Sequence, residues 1–140
     1  MKQSDYVTIL CGDFGDNYTP LSRSVFWKLY HKYNNSVDAL IRSDEIQVKE
    51  LLKRSASVTF AMQELRQKGL RIITFLEEDF PERLTRKLDG FCPPVLYTCG
   101  NEGLKNKHTV GYVGSRVIEE RDAKWTEARI KKISTMDMAL

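Results

Sequence analysis

Apolar positions in the first half of the chain recur at helical spacing. Pro20 and Ser22 make a helix entry, and Val25, Phe26, Leu29, Tyr30 and Tyr33 then fall on one aromatic-rich face. Asn34 and Asn35 interrupt the pattern. Val37, Leu40 and Ile41 predict a short second helix, and Val48, Leu51 and Leu52 a third. A fourth starts near Ser55 or Ser57 and turns Val58, Ala61, Met62 and Leu65 inward. It stops at Gly69, just past a basic last turn at Arg66 and Lys68. Helices this short have little stability alone, so they are expected to hold together as one bundle.

The period changes beyond Gly69. Residues 70–75 are a short β-branched run suited to a strand, and 77-EEDFPERLTRKLDG-90 is a charged connection with a helix from about Pro81 to Leu88. Pro93 and Pro94 exclude helix and lead into a second strand, 95-VLYT-98; residues 102–106 can make at most one helical turn. Residues 109–113 predict a third strand, and about 118–133 a highly charged helix with Ala123, Ala128, Ile130 and Ile133 as its apolar positions. Strands alternating with connections predict the beginning of an open α/β sheet, mainly parallel and holding all three strands. Strands apolar on both faces need helices above and below and cover at their edges. A final helix folded back over the sheet, or a homodimer, would provide it; without either, the second half of the chain would be loose and aggregation-prone.

Composition adds bounds. A chain of 140 residues accommodates one ordinary domain, or a small domain and a piece of a larger one. With 41% apolar and 29% charged residues, it is a globular rather than a disordered chain. No apolar run approaches membrane-spanning length, and the amino-terminal MKQSDYVTILCGDFG makes no convincing signal peptide, so a cytoplasmic location without membrane contact is expected. Cys11, Cys92 and Cys99 contain no C-x-x-C pair, and His31 and His108 stand alone; neither a metal site nor a disulfide is expected, and no cofactor. The net charge of +3 is compatible with nucleic-acid binding but decides little, because acidic and basic residues interleave.

The stretch 110-VGYVGSR-116 carries the candidate chemistry. A turn between a strand end and a helix presents backbone N–H groups beside the helix's positive end, a seat for phosphate. Gly114 allows close approach, Ser115 offers a hydroxyl, and Arg116 can grip a phosphate bidentately. Neither G-x-G-x-x-G nor a P-loop lysine is present. Taken alone, the turn is a weak signal and reads more readily as an ordinary strand-to-helix connection whose arginine faces water.

Four blocks in one order add specificity: 79-DFPERL-84, 93-PPVLYTCGN-101, Leu104, and the G-S-R strand end. Together they resemble the bacterial DNA-processing protein family DprA/Smf over about residues 18–117. The resemblance implies an N-terminal arm (1–17), a small SAM-like helical domain (18–69) and a partial Rossmann-like domain with an incomplete parallel sheet (70–140). It implies a non-catalytic protein that binds single-stranded DNA and helps load the RecA recombinase in recombination or natural transformation. Gly114, Ser115 and Arg116 would then begin the family's anion pocket; Arg83, Arg86 and Lys87 read equally as an extending basic track or as a solvated helix surface. Against this, 117-VIEERDAKWTEARIKKISTMDMAL-140 lacks the family's second glycine-rich loop and places Glu119, Glu120 and Asp122 near the helix start. A shortened member with weak DNA binding is therefore expected.

Two other classes compete. A nucleotide-processing enzyme would need a constellation the sequence lacks: Ser115 has no histidine base, and Asp13, Asp16, Glu77, Glu78 and Asp79 have no paired role. A protein-interaction module would use Trp27 beside Arg23, Lys28 and Lys32; a fragment without function is the remaining alternative.

Overall fold

A computed structural model describes residues 1–111, 113–136 and 138–139, the last two and Asn106 by backbone only. The chain divides into two units, Met1–Gly100 and Asn101–Leu140.

The first unit contains five helices: α1 (Gln3–Cys11), α2 (Arg23–Lys32), α3 (Val37–Ile41), α4 (Ile46–Leu52) and α5 (Ser55–Gln67). Helices α2 to α5 stand where the apolar spacing puts them. Ser22 caps α2 by accepting the Val25 N–H at 3.4 Å, and Ser36 caps α3 by accepting the Ala39 N–H at 3.2 Å. Asn34 and Asn35 both adopt left-handed backbone, with φ of 56° and 57°, which breaks the helix between them. Gly69, with φ of 79°, ends α5; the Leu70 N–H then reaches back to the Leu65 carbonyl at 2.9 Å, so the last turn is closed in a Schellman-type arrangement.

Helix α1 departs from expectation. Residues 1–17, read as an arm, contain a helix whose Val7, Ile9 and Leu10 are completely buried. Its apolar residues serve two cores: Val7 and Leu10 pack with Phe26, Leu40, Val48 and Leu51, while Ile9 packs with Val58 and Met62. A helix buried on several sides carries no single apolar stripe, and that is why periodicity misses it.

Strands β1 (Arg71–Thr74) and β2 (Val95–Thr98) follow, joined by α6 (Glu82–Leu88) and a 3-10 turn at Asp89–Phe91. They pair antiparallel, Arg71 opposite Thr98 and Thr74 opposite Val95, which overturns the expected parallel arrangement. A parallel return needs a crossover helix that travels the length of the sheet and buries an apolar face on it. Helix α6 has seven residues and buries none of them, so the chain comes back at the end it left: the Phe75 N–H donates to the Pro94 carbonyl at 3.1 Å. Both faces of β1 are nonetheless covered. Ile72 packs against the Ile9–Val58–Met62 cluster, and Ile73 against Phe80 and Cys92.

The second unit holds a 3-10 turn at Glu102–Asn106, β3 (His108–Thr109), α7 (Glu120–Ser134) and β4 (Met138–Ala139). The third strand is shorter than expected and, among the described residues, pairs in parallel with β4 rather than extending the β1–β2 sheet. Tyr112, within the expected strand, lies outside the described residues.

Candidate nucleic-acid interface

Gly114, Ser115 and Arg116 are all exposed, in irregular backbone between β3 and α7. The Val117 N–H donates to the Ser115 hydroxyl oxygen at 3.3 Å, a local turn that leaves the hydroxyl proton available to an acceptor. Val113 and Val117 on either side are 96% and 86% exposed. Helix α7 begins only at Glu120, with Glu119 at its N-cap, so Ser115 does not cap it and the helix start stands four residues beyond Arg116. The turn is therefore looser than the strand-turn-helix corner expected for a phosphate seat: it presents an exposed backbone, a hydroxyl and a guanidinium. The acidic helix start is present, with Glu120 and Asp122 in the first turn. Glu120 is held by Lys124 at 2.8 Å, an exposed i,i+4 pair on the helix's own surface.

Arg83, Arg86 and Lys87 all lie on α6 in the first unit, Arg83 half-buried and the other two exposed. The expected track is thus one helix surface, while the glycine turn belongs to the second unit.

Other candidate groups have structural duties. Glu77 accepts both the N–H and the hydroxyl of Thr74, shaping the turn after β1. Asp79 pairs with Arg71. Asp13 accepts the Gly15 N–H at 3.0 Å through its side chain, and its carbonyl accepts the Tyr97 hydroxyl at 3.2 Å. Trp27 is half-buried rather than presented for docking: its indole N–H donates to the Cys92 carbonyl at 2.7 Å, and its ring packs on Phe75 at 4.8 Å between centroids. Burial pushes the Cys92 thiol up, and Cys11 well above the thiol range, so both stay protonated and poorly nucleophilic at neutral pH. Among the described residues, no three His, Cys, Asp or Glu gather where they could hold a metal ion. No helix among them is long and apolar enough to cross a membrane. A cavity of about 400 Å³ lies between the Asp13–Phe14 loop, α5 and Tyr97, but Asp13 and Glu64 outnumber Lys68 on its wall, so it makes a poor seat for phosphate.

Sequence reasoning missed Arg54, which is buried and holds the end of α1. It also missed the arrangement of cations on α7, whose half-covered stripe runs through Ala123, Thr126, Ile130 and Ile133 rather than through Ala128, which is exposed.

The first unit is a helical bundle carrying a two-stranded antiparallel sheet, and the second presents an exposed G-S-R turn. The chain belongs to the family of DNA recombination-mediator protein A, whose model matches residues 71–140, from the first residue of β1 onward. That match bears out the resemblance carried by the spaced blocks, and it includes residues 117–140, where Glu119, Glu120 and Asp122 stand near the helix start. Neither the curated proteins nor the solved structures include a match to the chain.

Proposed function

We propose that this protein is a non-catalytic mediator that binds single-stranded DNA and supports RecA loading, in recombination or natural transformation, in the cytoplasm. The observation that carries the reading is the exposed Gly114–Ser115–Arg116 turn inside the family-matched region. Arg116 contacts a phosphate, with Ser115 and the Gly114 backbone beside it; Arg83, Arg86 and Lys87 form a second basic surface. In this reading residues 18–69 are the SAM-like helical domain and residues 70–140 belong to a Rossmann-like DNA-processing domain, with a homodimer as one source of edge cover.

Phosphate-directed binding is insensitive to base sequence and falls with salt. Fluorescence anisotropy of a labelled single strand, titrated at several salt concentrations, tests the reading on wild type and Arg116→Ala. Loss of the guanidinium removes a charged hydrogen-bonded contact, worth roughly 1.5–3 kcal/mol, and lowers the salt slope by about 0.7. Equal affinities for the two proteins would remove Arg116 from the site.

A further inference from the structure

The basic residues of α7 divide into two sets. Lys124 and Lys131 are neutralised by Glu120 and Glu127 four residues before them, at 2.8 Å and 3.0 Å. Arg121, Trp125, Arg129 and Lys132 follow one another at i, i+4, i+8 and i+11, which gathers them within roughly 80° of arc on another face of the helix. Trp125 is 57% exposed, and the Arg129 guanidinium lies over its ring at 5.0 Å from the centroid. Asp122 borders this stripe near its amino-terminal end.

Exposing a tryptophan to water is unfavourable, and packing does not require it on a helix that buries no residue. The ring presents a flat π surface flanked by three cations, a combination that suits a ligand made of stacked bases joined by phosphates. An acidic protein partner would use the cations but has no need of the ring face.

We infer that the Arg121–Trp125–Arg129–Lys132 face of α7 is a second single-stranded DNA contact, in which a base stacks on Trp125 while Arg121, Arg129 and Lys132 meet the flanking phosphates. The inference rests on the DNA-binding reading above, but it adds a surface separate from the glycine turn. Arg129 braces the ring, reducing the side-chain freedom lost on binding. Base stacking tolerates any sequence, so the surface adds affinity without base preference.

The test compares full-length wild type, Trp125→Ala, Trp125→Phe, the double variant Arg121→Gln/Arg129→Gln, and Arg116→Ala, each checked for unchanged helix content. The probe is a fluorescent oligothymidylate. Trp125→Ala is expected to weaken binding about tenfold or more, and Trp125→Phe less, because a phenyl ring still stacks. The double variant should lower the salt slope by about 1.4, at about 0.7 per phosphate contact on a single strand. In a Trp27→Phe background Trp125 is the single tryptophan of the chain, and oligothymidylate should quench its fluorescence. Undiminished affinity in Trp125→Ala, or no quenching, overturns the α7 contact; a concurrent loss in Arg116→Ala would leave the glycine-turn reading standing. Losses in the α7 variants with none in Arg116→Ala would support the helix and sink the turn. No binding by wild type at low salt overturns both.

Discussion

Arg54 and Asp16 meet in an ion pair, with both carboxylate oxygens 3.1 Å from the same guanidinium nitrogen Nη1. The arginine side chain is wholly buried, and its other nitrogens donate to the carbonyls of Ile9, at 2.6 and 3.0 Å, and Gly12, at 2.8 Å. One side chain at the start of α5 thus satisfies carbonyls at the end of α1, where a helix leaves its last acceptors unpaired. Phe14 and Tyr18 lie beside the guanidinium, with ring centroids 5.9 and 6.0 Å away. Arg54 therefore joins the first helix to the fifth.

Replacing Arg54 should be among the most damaging single changes in the first unit. Arg54→Ala leaves buried carbonyls without donors and opens a void, an expected loss of about 3–5 kcal/mol. Arg54→Lys should fall between alanine and wild type, because an ammonium lacks the fork that reaches three acceptors at once. Asp16→Asn should cost less than Arg54→Ala, since its amide oxygen still accepts from Nη1, but more than loss of an exposed pair, because the wholly buried guanidinium loses its counter-charge. Urea unfolding of the three variants checks the order; an Arg54→Ala midpoint equal to that of wild type would contradict the assigned role.

Trp27 offers a separation of stability from function. Trp27→Phe keeps an aromatic ring among Phe26, Tyr30 and Phe75 but removes the donor to the Cys92 carbonyl. A carbonyl left unpaired in a half-buried site costs about 1–3 kcal/mol. Thermal or urea unfolding should show that loss, while affinity for single-stranded DNA stays at the wild-type level. A drop in DNA affinity with unchanged stability would instead make Trp27 a binding residue.

The thiols predict an alkaline instability. Burial raises the Cys11 thiol far above its ordinary value of 9.0, and raises Cys92 as well. The unfolded chain releases these protons first, so their contribution is fully present below about pH 9 and is lost as pH rises from there toward the folded values. Stability measured from pH 7 to 10 should decline at the upper end, and less steeply in Cys11→Ala relative to that variant's own value at pH 7. Thiol titration should find three reactive groups in the unfolded chain and fast reaction only of exposed Cys99 in the folded one. A single thiol in the unfolded chain would reveal a disulfide.

Local signals in the sequence were sufficient for several elements. Ser22 could cap, Gly69 could enter the left-handed region at the end of α5, and Asn34 and Asn35 could break a helix, because these choices depend on a residue and its near neighbours. The G-S-R turn was legible for the same reason, as were the blocks that led to the family. The sequence by itself therefore determined helices α2 to α5 and the shift to strands after Gly69. Tertiary structure decided the rest. Strand direction depended on whether α6 could cover a sheet face, and a seven-residue helix burying nothing could not, so β2 returned antiparallel. Helix α1 was hidden because its apolar residues face two cores at once, and Arg54 because its carbonyl acceptors lie more than forty residues earlier in the chain. A hydrophobic period records that a residue is buried, but the partner that buries it, or the carbonyl that accepts its proton, is fixed only when distant segments meet.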